Sequence, residues 1–250
     1  MRLPKRRLLG ADITEASFED VVNAIIALGR SKESAYVCVS SVHMIMEAES
    51  DPEFKRLLNQ AAIATPDGRP VSVFMNLLYG CHQEQIAGHD LMIRTLKAAG
   101  EAGLSVYFYG STPPVLSHLG EKIRREYPGV VIAGLESPPF RPLSPQEHED
   151  TLARINASGA HIVMVALGCP KQERWMAERY GKIPAVMIGL GAAFPFFSGD
   201  VKRAPRWVQH LCLEWAFRMT REPRLFLRYL HTNPRFLWGI LKQSVALRLK

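Results

Sequence analysis

Side chains that could take part in catalysis or in ligand binding stand directly after apolar runs of the sequence. Segment 65–68 (TPDG) follows a short run, and there Gly68 permits an unusual turn while Asp67 would project from the end of a strand. A carboxylate in that place can act as a general base toward a hydroxyl. An Asx-turn or a helix N-cap is the structural alternative, which this segment alone favours.

Segment 168–175 (GCPKQERW) follows the most apolar run in the chain. Gly168 and Pro170 would form a turn, and the helix after it would present backbone N–H groups to an anion. Lys171 and Gln172 fall in the first helical turn, where a phosphate or a sugar hydroxyl can reach them. A plain amphipathic helix start explains the same residues equally well.

Segment 189–194 (GLGAAF) spaces Gly189 and Gly191 so that a ligand can approach the backbone. The third glycine and the later acidic residue of a nicotinamide-binding fingerprint are missing. The chain also lacks GxxxxGK[ST], HExxH and GxSxG, and it has no DxD pair for a divalent metal. We therefore expect no metal and no cofactor. His43, beside apolar neighbours, stays open between a packed residue and a pocket donor.

Apolar runs alternate with helix-period segments through the first 200 residues. They predict strands over 36–40, 61–65, 105–110, 130–134, 161–167 and 185–190, and helices over 17–28, 42–48, 52–60, 91–99, 114–126, 145–156 and 171–179. This alternation predicts an α/β fold with a doubly wound, mostly parallel sheet, in which ligands bind where the strands end.

The tail of the chain differs from the rest in charge. The formal charge is +7, but residues 201–250 hold eleven Lys and Arg against two acids, together with three of the four Trp. Helical patterns run over 207–220, 223–231 and 234–249, and Pro223 and Pro234 are expected to begin new helices. Such a basic-aromatic tail suits a membrane headgroup interface, nucleic acid or an oligomer interface.

Two absences bound the compartment. The four cysteines include no CxxC pair, which argues against a zinc ribbon or a thioredoxin-like site, and Cys38 and Cys169 lie in or beside apolar runs, so a reducing cytoplasm is the natural compartment. No window offers about 18 uncharged apolar residues, so any membrane contact should be peripheral.

Taken in order, these segments resemble the WecG/TagA/CpsF family of bacterial glycosyltransferases. The matching segments are TPDG (65–68), AGHDL (87–91), YFYGS (107–111), GCPKQERW (168–175), GLGAAFPFFSG (189–199), RAPRW (203–207), LEWAFR (213–218) and EPRLFLRYL (222–230). The resemblance implies an inverting, metal-independent enzyme that moves a sugar from a UDP-sugar to a lipid-diphosphate-linked acceptor sugar. It would act at the inner face of the cell membrane in cell-surface polysaccharide synthesis. N-acetylmannosamine and glucose are the candidate sugars.

The resemblance also implies roles for particular residues. Asp67 would be the general base, and arginines of the C-terminal appendage would neutralise the departing UDP: Arg218, Arg224 and Arg228. Relatives carry a Thr-x-Asn pair after the first core strand, and here Ser41 replaces the Asn. The remaining substrate-binding candidates are Ser41, His43, Gly68, Asp90, Gly110, Lys171, Gln172, Gly189 and Gly191.

We expect residues 1–199 to form the catalytic core that binds the UDP-sugar, and residues 200–250 to form a helical appendage that meets the membrane and completes the active site. The expected partners are the UDP-sugar, the polyprenyl-diphosphate acceptor and the membrane surface, with a homo-oligomer left open and nucleic acid disfavoured. One alternative is a UDP-sugar epimerase or dehydrogenase, against which the missing nicotinamide fingerprint weighs. Another is a non-catalytic lipid- or nucleic-acid-binding module, which would need neither TPDG nor GCPKQE.

Overall fold

The computed structural model describes residues 3–202, 204, 205, 208, 216, 217 and 225–248. For residues 225–229 and 248 it describes the backbone alone. Among these residues no helix is both long enough and apolar enough to cross a bilayer.

A six-stranded sheet forms the centre of the fold. Its strands are β3 (Ala35–Ser40), β4 (Ile63–Pro66), β5 (Ser105–Gly110), β6 (Val131–Glu136), β7 (Ile162–Ala166) and β8 (Val186–Gly189). They lie in the order β4-β3-β8-β7-β5-β6. The pairs β3–β8, β7–β8, β5–β7 and β5–β6 are all parallel. The predicted α/β fold with a mostly parallel sheet is therefore confirmed.

Ten helices are defined in the described part of the chain. They are α1 (Phe18–Ser31), α2 (Val42–Ser50), α3 (Pro52–Gln60), α4 (Arg69–Tyr79), α5 (Gly88–Glu101), α6 (Pro113–Glu126), α7 (Pro145–Ala157), α8 (Lys171–Glu178), α9 (Ala193–Ser198) and α10 (Leu225–Arg248). Local sequence explains several of the helix starts. The Asp51 carboxylate caps α3, and Ser144 with Glu147 forms a capping box at α7.

Three elements were not predicted. Helices α4 and α9 are two of them, and the third is an antiparallel hairpin of β1 (Lys5–Leu8) and β2 (Ala11–Thr14). Leu9 and Gly10 close this hairpin with φ of 50° and 86°. Two consecutive residues with positive φ match the right-handed twist of the flanking strands, as in a type I′ turn.

The expectation that Pro234 begins a new helix was wrong. Pro234 lies inside α10, a single helix of 24 residues. Proline deprives the carbonyl four residues earlier of its partner. That carbonyl belongs to Leu230, which is 60% exposed, so water can take the missing donor's place. Packing of Phe236 and Ile240, both buried, supports the helix beyond the proline.

The chain divides into two compact units. Unit 1 contains Phe18–Cys38 and Gly88–Val201. In it α1 packs against α5, and both α5 and α6 pack against α9.

Unit 2 contains the β1–β2 hairpin, Val39–Ala87 and the described residues from Lys202 onward. Here α10 packs on α2 and α4. The Phe236 ring meets Phe74 edge-on at 5.7 Å. The Gln243 amide accepts a hydrogen bond from the Leu9 N–H (2.9 Å) and donates one to the Arg7 carbonyl (2.7 Å). The predicted division into residues 1–199 and 200–250 stays a prediction.

Candidate active site

The strand order creates a topological switch point in unit 1. The connection that leaves β5 leads outward to β6, whereas the connection that leaves the adjacent β7 leads the other way to β8. Two loops that diverge at the carboxyl ends of neighbouring strands leave a crevice, which is where open parallel sheets bind ligands. The segment YFYGS (107–111) forms the end of β5 and the first residue after it, and the segment GCPKQERW (168–175) follows β7.

Gly110 is required by the close approach of the β5 and β7 backbones. Its φ is +114°, and a Cβ on it would lie only 2.4 Å from the Ala166 carbonyl oxygen. The next residue, Ser111, also has a positive φ of 61°, and its N–H donates to the same carbonyl at 2.9 Å. The strained turn after β5 is thereby tied to the end of β7.

The turn after β7 is closed by the side chain of Gln172. Its Oε1 accepts a hydrogen bond from the Gly168 N–H at 3.2 Å. Gln172 is 4% exposed, whereas Lys171, the first residue of α8, is exposed to solvent. Lys171 therefore stands at the helix N-terminus with its ammonium in water, and Gln172 is part of the packed turn.

Two glycines after β8 accommodate the Gln172 amide. A Cβ on Gly189 would lie 3.0 Å from Nε2 of Gln172 and 2.8 Å from Cε of Met176. Gly191 has a φ of +52°, and a Cβ there would lie 3.3 Å from Oε1. The structure thus brings Gly189, Gly191 and Gln172 into contact, as one cluster beside the carboxyl end of β8.

Glu173 belongs to this cluster but was not singled out in the sequence. It is fully buried, and its Oε1 accepts a hydrogen bond from Nε2 of Gln172 at 2.7 Å. Burial raises the pKa of Glu173 to about 7, against the opposing hydrogen bonds from Gln172 and Cys169. The helical pattern of α8 is amphipathic whether Glu173 faces inward or outward. The sequence therefore gave no indication that this acid is buried.

A second network missed by the sequence centres on Glu136, the last residue of β6. Its carboxylate accepts two hydrogen bonds from Arg154, at 3.2 and 2.7 Å, and one from the Tyr107 hydroxyl at 2.6 Å. Burial acts to raise the pKa of Glu136, but the hydrogen bonds from Arg154 and Tyr107 outweigh it and the net pKa is lowered. The next residue, Ser137, donates to the Ser111 carbonyl at 2.7 Å, so the network also fixes the turn after β5.

In unit 2, Asp67 follows β4 directly. Its N–H donates to the Ser40 carbonyl at 3.2 Å, which joins the turn after β4 to the end of β3. Helix α4 starts after Gly68 and has no side-chain cap, so the alternative role of Asp67 as a helix N-cap is not the one observed. The side chain of Asp67 is partly exposed at the end of its strand.

The expectation of an unusual turn at Gly68 was wrong. Its φ is −70° and its ψ 139°, which any residue adopts, and a Cβ there would meet Pro70 Cδ at an ordinary 3.6 Å. Gly68 serves instead as the N-cap position of α4, where glycine is tolerated because it leaves the first N–H groups accessible.

Ser41 and His43 lie at the start of α2, beside the turn that contains Asp67. The Ser41 hydroxyl caps the helix by accepting from the Met44 N–H at 3.4 Å. His43 is mostly buried, with its Nδ1 3.8 Å from Oε1 of Glu47. The structure therefore brings the turn of Asp67 to the residue before Ser41 in unit 2, with the Ser41 hydroxyl committed to the backbone and His43 in the first turn of the same helix.

The remaining candidates are Asp90 and the three arginines of the tail. Asp90 stands in the first turn of α5 in unit 1, where an acid is favoured by the helix dipole. Arg218 and Arg224 lie outside the described residues, and Arg228 is described by its backbone alone, in α10. In the described ranges no three His, Cys, Asp or Glu side chains are arranged to hold a metal ion.

Comparison with known proteins identifies the family. The model of the glycosyl transferase WecG/TagA/CpsF family matches residues 6–250. A protein from Bacillus spizizenii named N-acetylglucosaminyldiphosphoundecaprenol N-acetyl-beta-D-mannosaminyltransferase is similar to this chain. The two are 32% identical over 215 residues, which cover 86% of this chain and 81% of the relative. Together with the parallel sheet and the glycine-shaped turns at its carboxyl edge, these matches show that the chain is a glycosyltransferase belonging to the WecG/TagA/CpsF family.

Proposed function

We propose that this chain transfers a hexose or N-acetylhexosamine from a UDP-sugar to an acceptor sugar linked through a diphosphate to a polyprenyl lipid. The relative from Bacillus spizizenii, by its name, transfers N-acetylmannosamine to such an acceptor. Its similarity extends over most of both chains, which supports the same class of acceptor here. N-acetylmannosamine and glucose are the donor sugars we favour.

Asp67 is the proposed general base, and its position is the structural observation that carries this proposal. An acceptor hydroxyl must lose a proton as it attacks the anomeric carbon from the face opposite the leaving diphosphate. Asp67 directly follows a buried strand, is partly exposed and does not occupy the N-cap position of α4, which is Gly68. A single displacement of this kind inverts the anomeric configuration.

The leaving UDP carries negative charge that the protein must stabilise. In unit 1 the N-terminus of α8 follows the switch point between β5 and β7, and backbone N–H groups at a helix start favour a diphosphate. We propose that Arg218, Arg224 and Arg228 supply the cationic charge in place of a metal ion.

Helix α10 is the proposed membrane contact, and the proposed contact is with the cytoplasmic face of the membrane. Five of the six exposed large apolar side chains described in this helix, all but Leu247, are spaced to form one stripe: Leu230, Leu237, Trp238, Leu241 and Val245. At about 100° per residue they fall within an arc of roughly 100°, and the buried Phe236 and Ile240 lie outside it. Lys242 lies 5.2 Å from the Trp238 ring centroid and adds positive charge beside the stripe, as suits an interfacial helix on anionic lipid.

The direct test is transfer from a panel of UDP-sugars to a short-chain lipid diphosphate that carries N-acetylglucosamine, with the product identified by mass spectrometry. We expect one UDP-hexose or UDP-N-acetylhexosamine to give product in the presence of a metal chelator. Lack of product with every UDP-sugar would exclude the proposed donor class.

Replacement of Asp67 by Asn should lower kcat by at least about a hundredfold and leave UDP binding nearly unchanged, because removal of a general base affects the chemical step. Asp90→Asn, at the other candidate aspartate, is the comparison variant. Retained turnover in Asp67→Asn would remove Asp67 from the role of base.

A further inference from the structure

Glu173 has no part in the proposed chemistry, yet it is an acid that is fully buried in α8. Acidic side chains are almost never buried in this way unless they are paired, because desolvation penalises the charged form. No basic side chain is among the groups that shift the pKa of Glu173, whose hydrogen-bond donors are the Gln172 side chain, its own backbone N–H and the Cys169 side chain. The groups that Glu173 contacts must therefore account for the presence of a carboxyl group at a site where desolvation penalises it.

Its main contact is an amide that has two alternative orientations. In the observed one, Oε1 of Gln172 accepts from the Gly168 N–H and Nε2 donates to Glu173. A half-turn of the amide would set its NH2 group against the Gly168 N–H and its oxygen against the carboxylate. The contact with the Gly168 N–H would then be repulsive, because an N–H only donates, and the contact with Glu173 would be repulsive whenever its carboxyl group is ionised, because a carboxylate only accepts. Glu173 and Gly168 together admit a single orientation.

That orientation decides which atoms Gln172 offers beside the turns after β7 and β8. Nε2 has two hydrogens, and the contact with Glu173 uses one of them. The second is the one that an acceptor on a ligand would meet. Gln172 is in the first turn of α8, where backbone N–H groups also favour an anion. A diphosphate oxygen fits both requirements.

We propose that Glu173 is a positioning residue, whose carboxylate fixes the Gln172 amide so that its remaining N–H reaches a diphosphate oxygen of the sugar nucleotide. This inference rests on the proposed function, since it takes a UDP-sugar as the ligand. Glu173 itself does not touch the ligand and acts through Gln172 alone.

A double-mutant cycle on the full chain tests this mechanism, with UDP binding measured by isothermal titration calorimetry. The variants are Glu173→Leu, Gln172→Ala and the double variant, with Glu173→Gln as the conservative substitution. Glu178→Gln is the matched control on the same helix, because the Glu178 side chain is 67% exposed. Circular dichroism and thermal unfolding establish that each variant is folded.

We expect Glu173→Leu to weaken UDP binding about tenfold, the value of one hydrogen bond to a charged group. Glu173→Gln should recover most of the affinity because its amide oxygen still accepts from Gln172. The double variant should bind UDP no more weakly than Gln172→Ala, since Glu173 has nothing left to position. Additive losses, or unchanged binding by Glu173→Leu, would overturn the proposal.

Failure of the proposed donor is recognised separately, because the wild-type chain would then not bind UDP. The orientation can still be followed without nucleotide, through the side-chain NH2 signals of Gln172 in ¹⁵N-correlated NMR spectra. These signals are assigned by their loss in Gln172→Ala. They should shift strongly in Glu173→Leu and not in Glu178→Gln, and an unchanged pair of signals in Glu173→Leu would refute the positioning contact.

Discussion

Replacement of Glu173 by Gln should stabilise the protein in alkaline solution and have little effect in acid. Burial raises the pKa of Glu173 to about 7 from its ordinary 4.5, so between these values the folded state keeps a proton that the unfolded chain has released. The resulting contribution to stability is complete below about pH 4.5 and is lost as the pH rises through about 7. The glutamine is neutral throughout and escapes this loss.

The size of the effect follows from the two pKa values. A difference of about 2.5 pKa units, at about 1.4 kcal/mol each, corresponds to about 3 kcal/mol once Glu173 is fully ionised. Part of this is already lost at mildly acid pH, and the change expected between about pH 5.5 and pH 8.5 is about 2 kcal/mol. For a chain of this length that is a shift of about 5 °C in Tm.

The assay is urea unfolding followed by circular dichroism, for the wild-type chain and Glu173→Gln at both pH values. The free energy of unfolding of the variant should exceed that of the wild type by an amount that grows with pH. Glu178→Gln should show little such trend, since its carboxylate is exposed on the same helix and its ion pair with Arg179 (3.1 Å) is screened by solvent. A difference between Glu173→Gln and wild type that is independent of pH would refute the reasoning.

Three further outcomes are expected. Gly110→Ala should destabilise the protein by more than about 3 kcal/mol in urea unfolding, because its Cβ would lie 2.4 Å from a β7 carbonyl oxygen. Arg154→Met should raise the pKa of Glu136 in ¹³C NMR titrations, because it removes two hydrogen bonds to the carboxylate. Leu241→Glu should reduce co-sedimentation with anionic vesicles about tenfold, whereas Leu77→Glu, at an exposed site on α4, should not.

The central sheet could be read from the sequence because its strands are short apolar runs between helical periods. Strand β5 and helix α3 begin and end at the predicted residues, Ser105–Gly110 and Pro52–Gln60. Parallel strands buried on both faces give this uninterrupted signal. The hairpin of β1 and β2 gave none, because Lys5, Arg6 and Arg7 make its first strand a charged run.

Side-chain direction was the other obstacle. The sequence identified Gln172 and the glycines at 189 and 191, but not that the amide fills the space beside those glycines. It also gave no means of telling the buried Glu173 from the exposed Glu178 on one short helix. Pro234 was misread because a helix-breaking preference of a few kcal/mol is outweighed when the flanking turns are packed.

The bond between Leu9 and Gln243 spans 234 positions of the chain. Unit 2 is assembled from a hairpin near one end, a central stretch and a helix near the other, so its closure requires contacts of very high sequence separation. During synthesis the hairpin leaves the ribosome early and can pack on β4, α3 and α4 before α10 is made. The amphipathic helix that is the proposed membrane contact therefore also completes the folding of unit 2. A nascent chain interrupted before residue 225 lacks both the proposed membrane contact and the helix that completes unit 2.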